Sequence, residues 1–144
     1  MNTTTSTKAA DIKRSWHVVD VKGKVLGRAA VEIAHYLMGK DKTYFVRNLD
    51  CGDYVVVVNA KNVVVTGRKA ELKTYYRHSM YPGGLRAETF EDLIVRRPEE
   101  VIIHAVKGML PQNKLRDQML GRLKVFPEEN HTFSDKMKVK KINA

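Results

Sequence analysis

A lone cysteine, Cys51, is all the thiol this chain has, so no internal disulfide can brace it. That scarcity fits a reducing compartment. A small apolar residue is the ordinary reading of Cys51, ahead of a nucleophile. Long apolar runs are missing as well. No stretch approaches the ~20 residues of a membrane-crossing helix, so a membrane is not an expected partner. Residues 1–7 are rich in Thr and Ser but have no apolar centre, so they are not a secretory signal. A flexible N-terminal tail over residues 1–14 is expected instead.

The chemistry of catalysis is equally thin. His17, His35, His78, His104 and His131 are scattered, without metal-ligand spacing. There is no Gly-x-Ser-x-Gly elbow. The Gly23–Gly27 region has neither the three-glycine spacing of a dinucleotide site nor a lysine-tipped phosphate loop. Neither catalysis, a metal nor a cofactor is expected.

Negative charge is also in short supply. Asp and Glu number 16 against 26 Lys and Arg, a formal net charge of +10. Such an excess calls for a polyanionic partner, nucleic acid or an anionic surface. The hydrophobic share of 43% over 144 residues is enough for one domain with a sound core.

Taken in order, Trp16–Val21 reads as a short strand and Lys22-Gly23-Lys24 as a turn. Val25–Met38 is an amphipathic helix, with Leu26, Ala30, Ile33, Ala34 and Leu37 on one side and Gly39 as C-cap. Arg28, on its first turn, suits a salt bridge or an RNA phosphate. Lys40, Lys42 and Arg47 follow, with Tyr44 and Phe45 between them. Cations interleaved with aromatics suit RNA; core residues at a strand start are an equal reading of the two rings. Asp53 is placed to anchor the next strand. Tyr54–Val58 is apolar throughout, as in strands covered on both faces, typically parallel ones. Asn59–Asn62 reads as a turn, and Val63–Thr66 as a further strand closed by Gly67. This order predicts a small α/β sheet with helices packed against it.

Arg68–Arg86 changes character. Arg68, Lys69, Lys73, Arg77 and Arg86 alternate with Tyr75, Tyr76, His78 and Tyr81, and Pro82-Gly83-Gly84 makes a turn. This is a basic hairpin-like arm in which glycines permit close approach to phosphates and tyrosines can stack. Thr89 can cap a short helix containing Phe90, Leu93 and Ile94. Pro98, Glu99 and Glu100 suit the first turn of another.

Ala105–Phe126 is the most concentrated stretch. Lys107, Lys114, Arg116, Arg122 and Lys124 alternate with apolar residues, and only Asp117 opposes them. The cations are expected to point outward. Over a helix of roughly 112–122, at ~100° per residue, Leu115, Met119, Leu120 and Leu123 form one arc, with Lys114 and Arg122 outside it. Arg116 falls inside. Either the helix starts late, or Arg116 lays its stem along the core.

AVKGMLP, a basic spacer and LKVF together resemble the signature region of large-subunit ribosomal protein thirteen, bacterial or organellar type. Trp16–Asp20, Leu26-Gly27-Arg28, Gly39-Lys40, Gly52–Ala60, Thr66-Gly67, Tyr75–His78 and Gly83-Gly84 match that family in order and spacing. The likeness spans about residues 13–126. It implies a three-layer α/β fold with a four-stranded, mostly parallel sheet. Residues 15–126 would be a single rRNA-binding domain, and residues 127–144 a basic extension carrying Lys136, Lys138, Lys140 and Lys141. It also implies a structural constituent of the large ribosomal subunit in the cytoplasm, with an organelle left open, that binds the large rRNA early in assembly. Its partners would be that rRNA and neighbouring large-subunit proteins, with its own mRNA left open.

Carried over position by position, the implied rRNA contacts are Lys40, Lys73, Tyr75, Arg77, His78, Gly83, Gly84, Lys107, Lys114, Arg122 and Lys124. The residue reading adds Arg28, Lys42, Arg47, Lys69, Arg86 and Arg116. Two departures stand out. Arg116-Asp117 replaces the family's usual Gly-Arg, and a lysine-rich tail follows His131–Lys136. The alternative function is a small α/β nucleotide-binding protein using the Gly27 turn. A DNA-binding module is weaker, because no helix carries a concentrated reading face for the major groove.

Overall fold

The apolar run Tyr54–Val58 forms β2, the central strand of a three-stranded parallel sheet in a computed structural model that describes residues 6–134. β1 (Trp16–Asp20) and β5 (Leu123–Val125) flank it, with Val18 opposite Val56 and Val57 opposite Val125. The central position explains the composition. Val55 and Val57 face one side, Val56 and Val58 the other, and all four are buried.

The first side meets the helices. α1 (Leu26–Met38) buries Leu26, Ala29, Ala30, Ile33, Ala34 and Leu37. α4 (Pro98–Met109) buries Val101, Ile102 and Val106. Both stripes join Val55 and Val57 in one cluster, completed by Phe90, Leu93, Leu110, Met119 and Leu123. Helical spacing in the sequence and burial in the fold coincide. Thr89 caps α3 (Phe90–Arg96), its hydroxyl accepting from the Asp92 N–H at 3.3 Å.

The second side is covered by aromatic rings, not by helices. Trp16, Phe126 and Phe133 pack on Val56 and Val58. Trp16 stacks on Tyr54 with centroids 4.4 Å apart and on Phe133 at 5.3 Å. The chain after β5 is pinned there. Asn59 and Lys61 N–H groups donate to the carbonyls of Glu128 and Pro127, and the Lys61 ammonium pairs with Glu128 at 2.8 Å. Thus the start of the expected basic extension belongs to the sheet's covering. Its lysines from Lys136 onward lie outside the described residues, as do residues 1–5. The expected loose N-terminal segment is tied down from Thr7, which donates to the Tyr44 carbonyl at 3.0 Å, to Arg14.

The fourth parallel strand is absent among the described residues. The Val63–Thr66 segment makes a single bridge, Val64 to Val25, through Leu26 N–H to Val64 O at 2.8 Å and Val64 N–H to Lys24 O at 3.1 Å. Its partner, Val25, is a single extended residue caught between the Lys22-Gly23 turn and α1, so the ladder cannot continue. The other two strands, β3 (Thr74–His78) and β4 (Leu85–Thr89), form a separate antiparallel ribbon.

A polar cluster closes one end of the sheet. Arg122 was expected outside and is inside, 6% exposed. The reason is local. α5 (Arg116–Gly121) ends one residue earlier, and Arg122 turns the chain into β5 beside β2. Its guanidinium forms an ion pair with buried Asp50. It also donates to the carbonyls of Leu37 at 3.3 Å and Asp53 at 3.4 Å.

Lys42 is likewise spent internally. Its ammonium donates to the Lys13 carbonyl at 2.6 Å, the Cys51 carbonyl at 2.8 Å and the Asp53 carboxylate. Asp53 also accepts from the Ser15 N–H and meets His17 Nε2 at 2.8 Å. Burial by itself would raise the Asp53 pKa. The hydrogen bonds from His17, Lys42 and Ser15, with the charge of Lys42, outweigh it and hold the carboxyl below its ordinary 3.8.

Gly52 lies against this cluster, where a Cβ would stand 1.7 Å from the Leu37 carbonyl oxygen and 2.9 Å from an Arg122 nitrogen.

Gly52→Ala should destabilise by about 3 kcal/mol or more, since backbone must move. Gly27→Ala, where a Cβ meets nothing, should be neutral or stabilising by up to about 1 kcal/mol. Urea unfolding measures both.

Arg122→Ala should cost about 3–5 kcal/mol, because it strands the Asp50 charge. Lys114→Ala, on the surface, should stay within about 0.5 kcal/mol. Equal effects would contradict the buried assignment.

Because Asp53 is depressed in the folded state, its contribution is present above the unfolded pKa and lost as pH falls through the lower folded value. Thermal midpoints should therefore fall steeply below pH ~4, and Asp53→Asn should flatten that limb.

Candidate nucleic-acid interface

The arm grows from the body at two fixed points. α2 (Lys69–Leu72) leads into β3, and the Phe90 N–H donates to the Lys73 carbonyl at 2.9 Å where β4 passes into α3. At the tip the Ser79 N–H reaches the Gly84 carbonyl at 3.2 Å, and the Gly84 N–H reaches Tyr81 O at 2.9 Å. The turn is specified by residue type. Gly83 takes φ 71°, and a Cβ on Gly84 would lie 2.1 Å from Ser79 Oγ. His78 Nδ1 accepts from the Met80 N–H at 2.9 Å, and the residue is exposed.

Alternation along the ribbon gives two faces. Tyr75, Arg77, Arg86 and Glu88 share one, since Tyr75 pairs with Glu88 and Arg77 with Arg86. Thr74, Tyr76, His78, Leu85 and Ala87 share the other, where Tyr76 is 68% exposed.

The first face looks toward α3 and α4. The Tyr75 ring lies 5.6 Å from that of His104, and the Lys73 ammonium sits 5.3 Å from the Tyr75 centroid. The Tyr75 hydroxyl is buried and has no hydrogen-bond partner among the described residues. Burial raises its pKa. Arg96 on α3 pairs with Glu88 on β4 at 2.6 Å, tethering arm to body. Arg97 pairs with Glu100 at 2.7 Å. Their hydrogen bond raises the Arg97 pKa and lowers that of Glu100, to which the positive charges of Arg97 and Arg77 add.

A groove therefore separates ribbon and helices, with Arg77 and Arg86 on one wall and Arg97 and His104 on the other. Sequence reasoning did not assign those last two. Their signal was the spacing Arg97, Glu100, His104, which puts all three on one helical face.

The remaining candidates are distributed over the body. Lys107 is exposed on the last turn of α4, whose opposite side is buried. Lys114 is exposed in the loop before α5. Arg116 is half-buried, with an Nε that is shielded and unpartnered among the described residues. Its helix does start late, because residues 113–116 form a turn in which the Arg116 N–H donates to Asn113 O at 3.2 Å. Arg28, Lys40, Arg47 and Lys69 are exposed. Lys124 lies on the Val56 side of the sheet, half-buried, because its neighbours Leu123 and Val125 face the helices. Lys42 and Arg122 are absent from the accessible set.

At the Gly27 turn, Leu26 N–H is already engaged by Val64 O. One of the donors an anion would need at the start of α1 is thereby occupied. Among the described residues no group of three His, Cys, Asp or Glu could hold a metal ion.

The family model described as ribosomal protein L13 matches residues 14–132. Curated relatives carry the name large ribosomal subunit protein uL13. One from Dehalococcoides mccartyi is 60% identical over 131 residues, covering 91% of each chain. Another from Symbiobacterium thermophilum is 51% identical, covering 91% of this chain and 93% of its own. A third, from Vibrio vulnificus, is 53% identical over 86% of this chain and 89% of its own. With the match running from Arg14 through β5 to the covering segment after it, the chain belongs to the ribosomal protein L13 family.

Proposed function

We propose that this protein is a structural constituent of the large ribosomal subunit that binds the large rRNA. Membership of a ribosomal protein family makes it a non-enzymatic component, working in the cytoplasm within that particle. The observation that carries rRNA binding is the division of its cations. Arg28, Lys40, Arg47, Lys69, Arg77, Arg86, Lys107 and Lys114 are exposed, and none makes an ion pair among the described residues. Cations without carboxylates are available to phosphates, whose neutralisation releases counterions. The outer ribbon face adds Tyr76 and His78 for stacking on unpaired bases.

The body supplies geometry. Its core is complete without RNA, so its cations are held at fixed separations before binding. That preorganisation suits a protein that joins the large rRNA early in assembly and stays. Neighbouring large-subunit proteins are further partners. No observation supports mRNA as one.

Sedimentation of the native protein from a lysate through a high-salt sucrose gradient tests the reading. It should travel with the large subunit; remaining at the top while other subunit proteins stay bound would overturn it. Lys107, directed by a buried helix, should matter among the body contacts. Lys107→Ala should reduce the slope of log affinity against log salt by ~0.9 for a duplex contact or ~0.7 for a single-stranded one.

A further inference from the structure

The ribbon contains an electrostatic conflict. Arg77 and Arg86 are directly opposite each other across β3 and β4. Side chains so placed have Cβ atoms about 5 Å apart, and like charges there destabilise the pair. Elsewhere in the groove charge is balanced, since Glu88 on the ribbon meets Arg96 and, on the opposite wall, Arg97 meets Glu100. Neither Arg77 nor Arg86 has an ion-pair partner among the described residues. Both line the groove, and Arg77 acts on Glu100 on the far wall.

The groove encloses about 1180 Å³ between its walls. One wall is a two-stranded ribbon and the other the packed pair α3–α4, held together by the Arg96–Glu88 bridge at 2.6 Å. A single strand of nucleic acid can lie between such walls. A duplex would have to bring a second backbone into the same space.

We propose that this groove takes an unpaired RNA segment, with one phosphate held jointly by Arg77 and Arg86. The inference rests on the rRNA-binding reading and names the form of RNA the arm receives. Two planar guanidinium groups on adjacent strands can each present paired N–H donors to the same phosphate oxygens. The anion removes the repulsion that the free ribbon carries. His104 lines the opposite wall of the same groove.

The experiment is filter binding of the full chain to large-subunit rRNA at several salt concentrations. It compares wild type with Arg77→Ala/Arg86→Ala, and uses oligouridylate or its duplex with oligoadenylate as competitor. The double variant should lose about tenfold or more in affinity. Its salt slope should fall by ~0.7, one single-stranded phosphate contact. Its thermal midpoint should be unchanged or raised, because the opposed charges are gone. The single strand should compete with rRNA for wild type and much less for the variant, and the duplex should compete poorly with both.

Normal rRNA binding by the double variant, with an unchanged slope, would overturn the groove assignment and leave the ribosomal reading intact. Equal competition by duplex and single strand would overturn the unpaired class. Failure of wild type to bind rRNA would overturn both readings. If the alanine pair lowers the thermal midpoint, Arg77→Lys/Arg86→Lys decides. Retention of the salt slope supports phosphate contact, and a slope as low as that of the alanine pair overturns it.

Discussion

The buried Arg122 guanidinium is the interaction on which the architecture depends. It joins three segments distant in sequence: the end of α1 through Leu37 O, the loop entering β2 through Asp50 and Asp53 O, and β5 through its own backbone. Gly52 must be a glycine because this convergence leaves no room for a Cβ. Burying two charges carries a desolvation penalty that can exceed their attraction, so the pair is not a large net source of stability. What it supplies is registration. Misplacing any of the three segments would strand a charge, whereas sliding one apolar face over another costs much less.

That registration reaches the arm through the helices. α4 packs beside α1 on the same face of the sheet, and its first turn carries Glu100, with Ile103 and His104 three and four residues on. α3 is fixed by Phe90 and Leu93 in the same core and brings Arg96 to Glu88. The ribbon is thereby held against the body without a large apolar interface of its own. Its outer side keeps Tyr76 and Leu85 in solvent. Exposed apolar side chains on a rigid projection are the composition of a surface built to be covered.

Much of this was legible in the sequence, because the strong signals were local. The unbroken Tyr54–Val58 run meant a strand buried on both faces, and β2 is central. The stripe in Leu26–Met38, the Thr89 cap and the Pro98 start are properties of single helices, and each was recovered. The Gly83-Gly84 turn between two basic arms needed only turn chemistry. Readings that required knowledge of a neighbour went astray. Val63–Val65 has strand composition but meets a turn. The second layer over the sheet was expected to be helical, yet rings from Trp16, Phe126 and Phe133 serve, and nothing local distinguishes those aromatics from others.

The cations show the same limit most sharply. Lys42 and Lys40 are two residues apart, and Arg122 and Lys124 likewise, yet one of each pair is internal. Periodicity alone could not separate them. Arg122 falls outside the helical arc only if the helix continues through it, and α5 stops at Gly121. The discriminating quantity is the supply of buried carboxylates. Asp50 and Asp53 are the only acids the core encloses among the described residues, and each must recruit a cation to remain charged there. Arg122, assisted by half-exposed Arg14, answers Asp50, and Lys42 answers Asp53. Once those two demands are met, the interior has no further use for positive charge. A basic chain of this composition must therefore place its remaining excess on the surface, where it is open to phosphates.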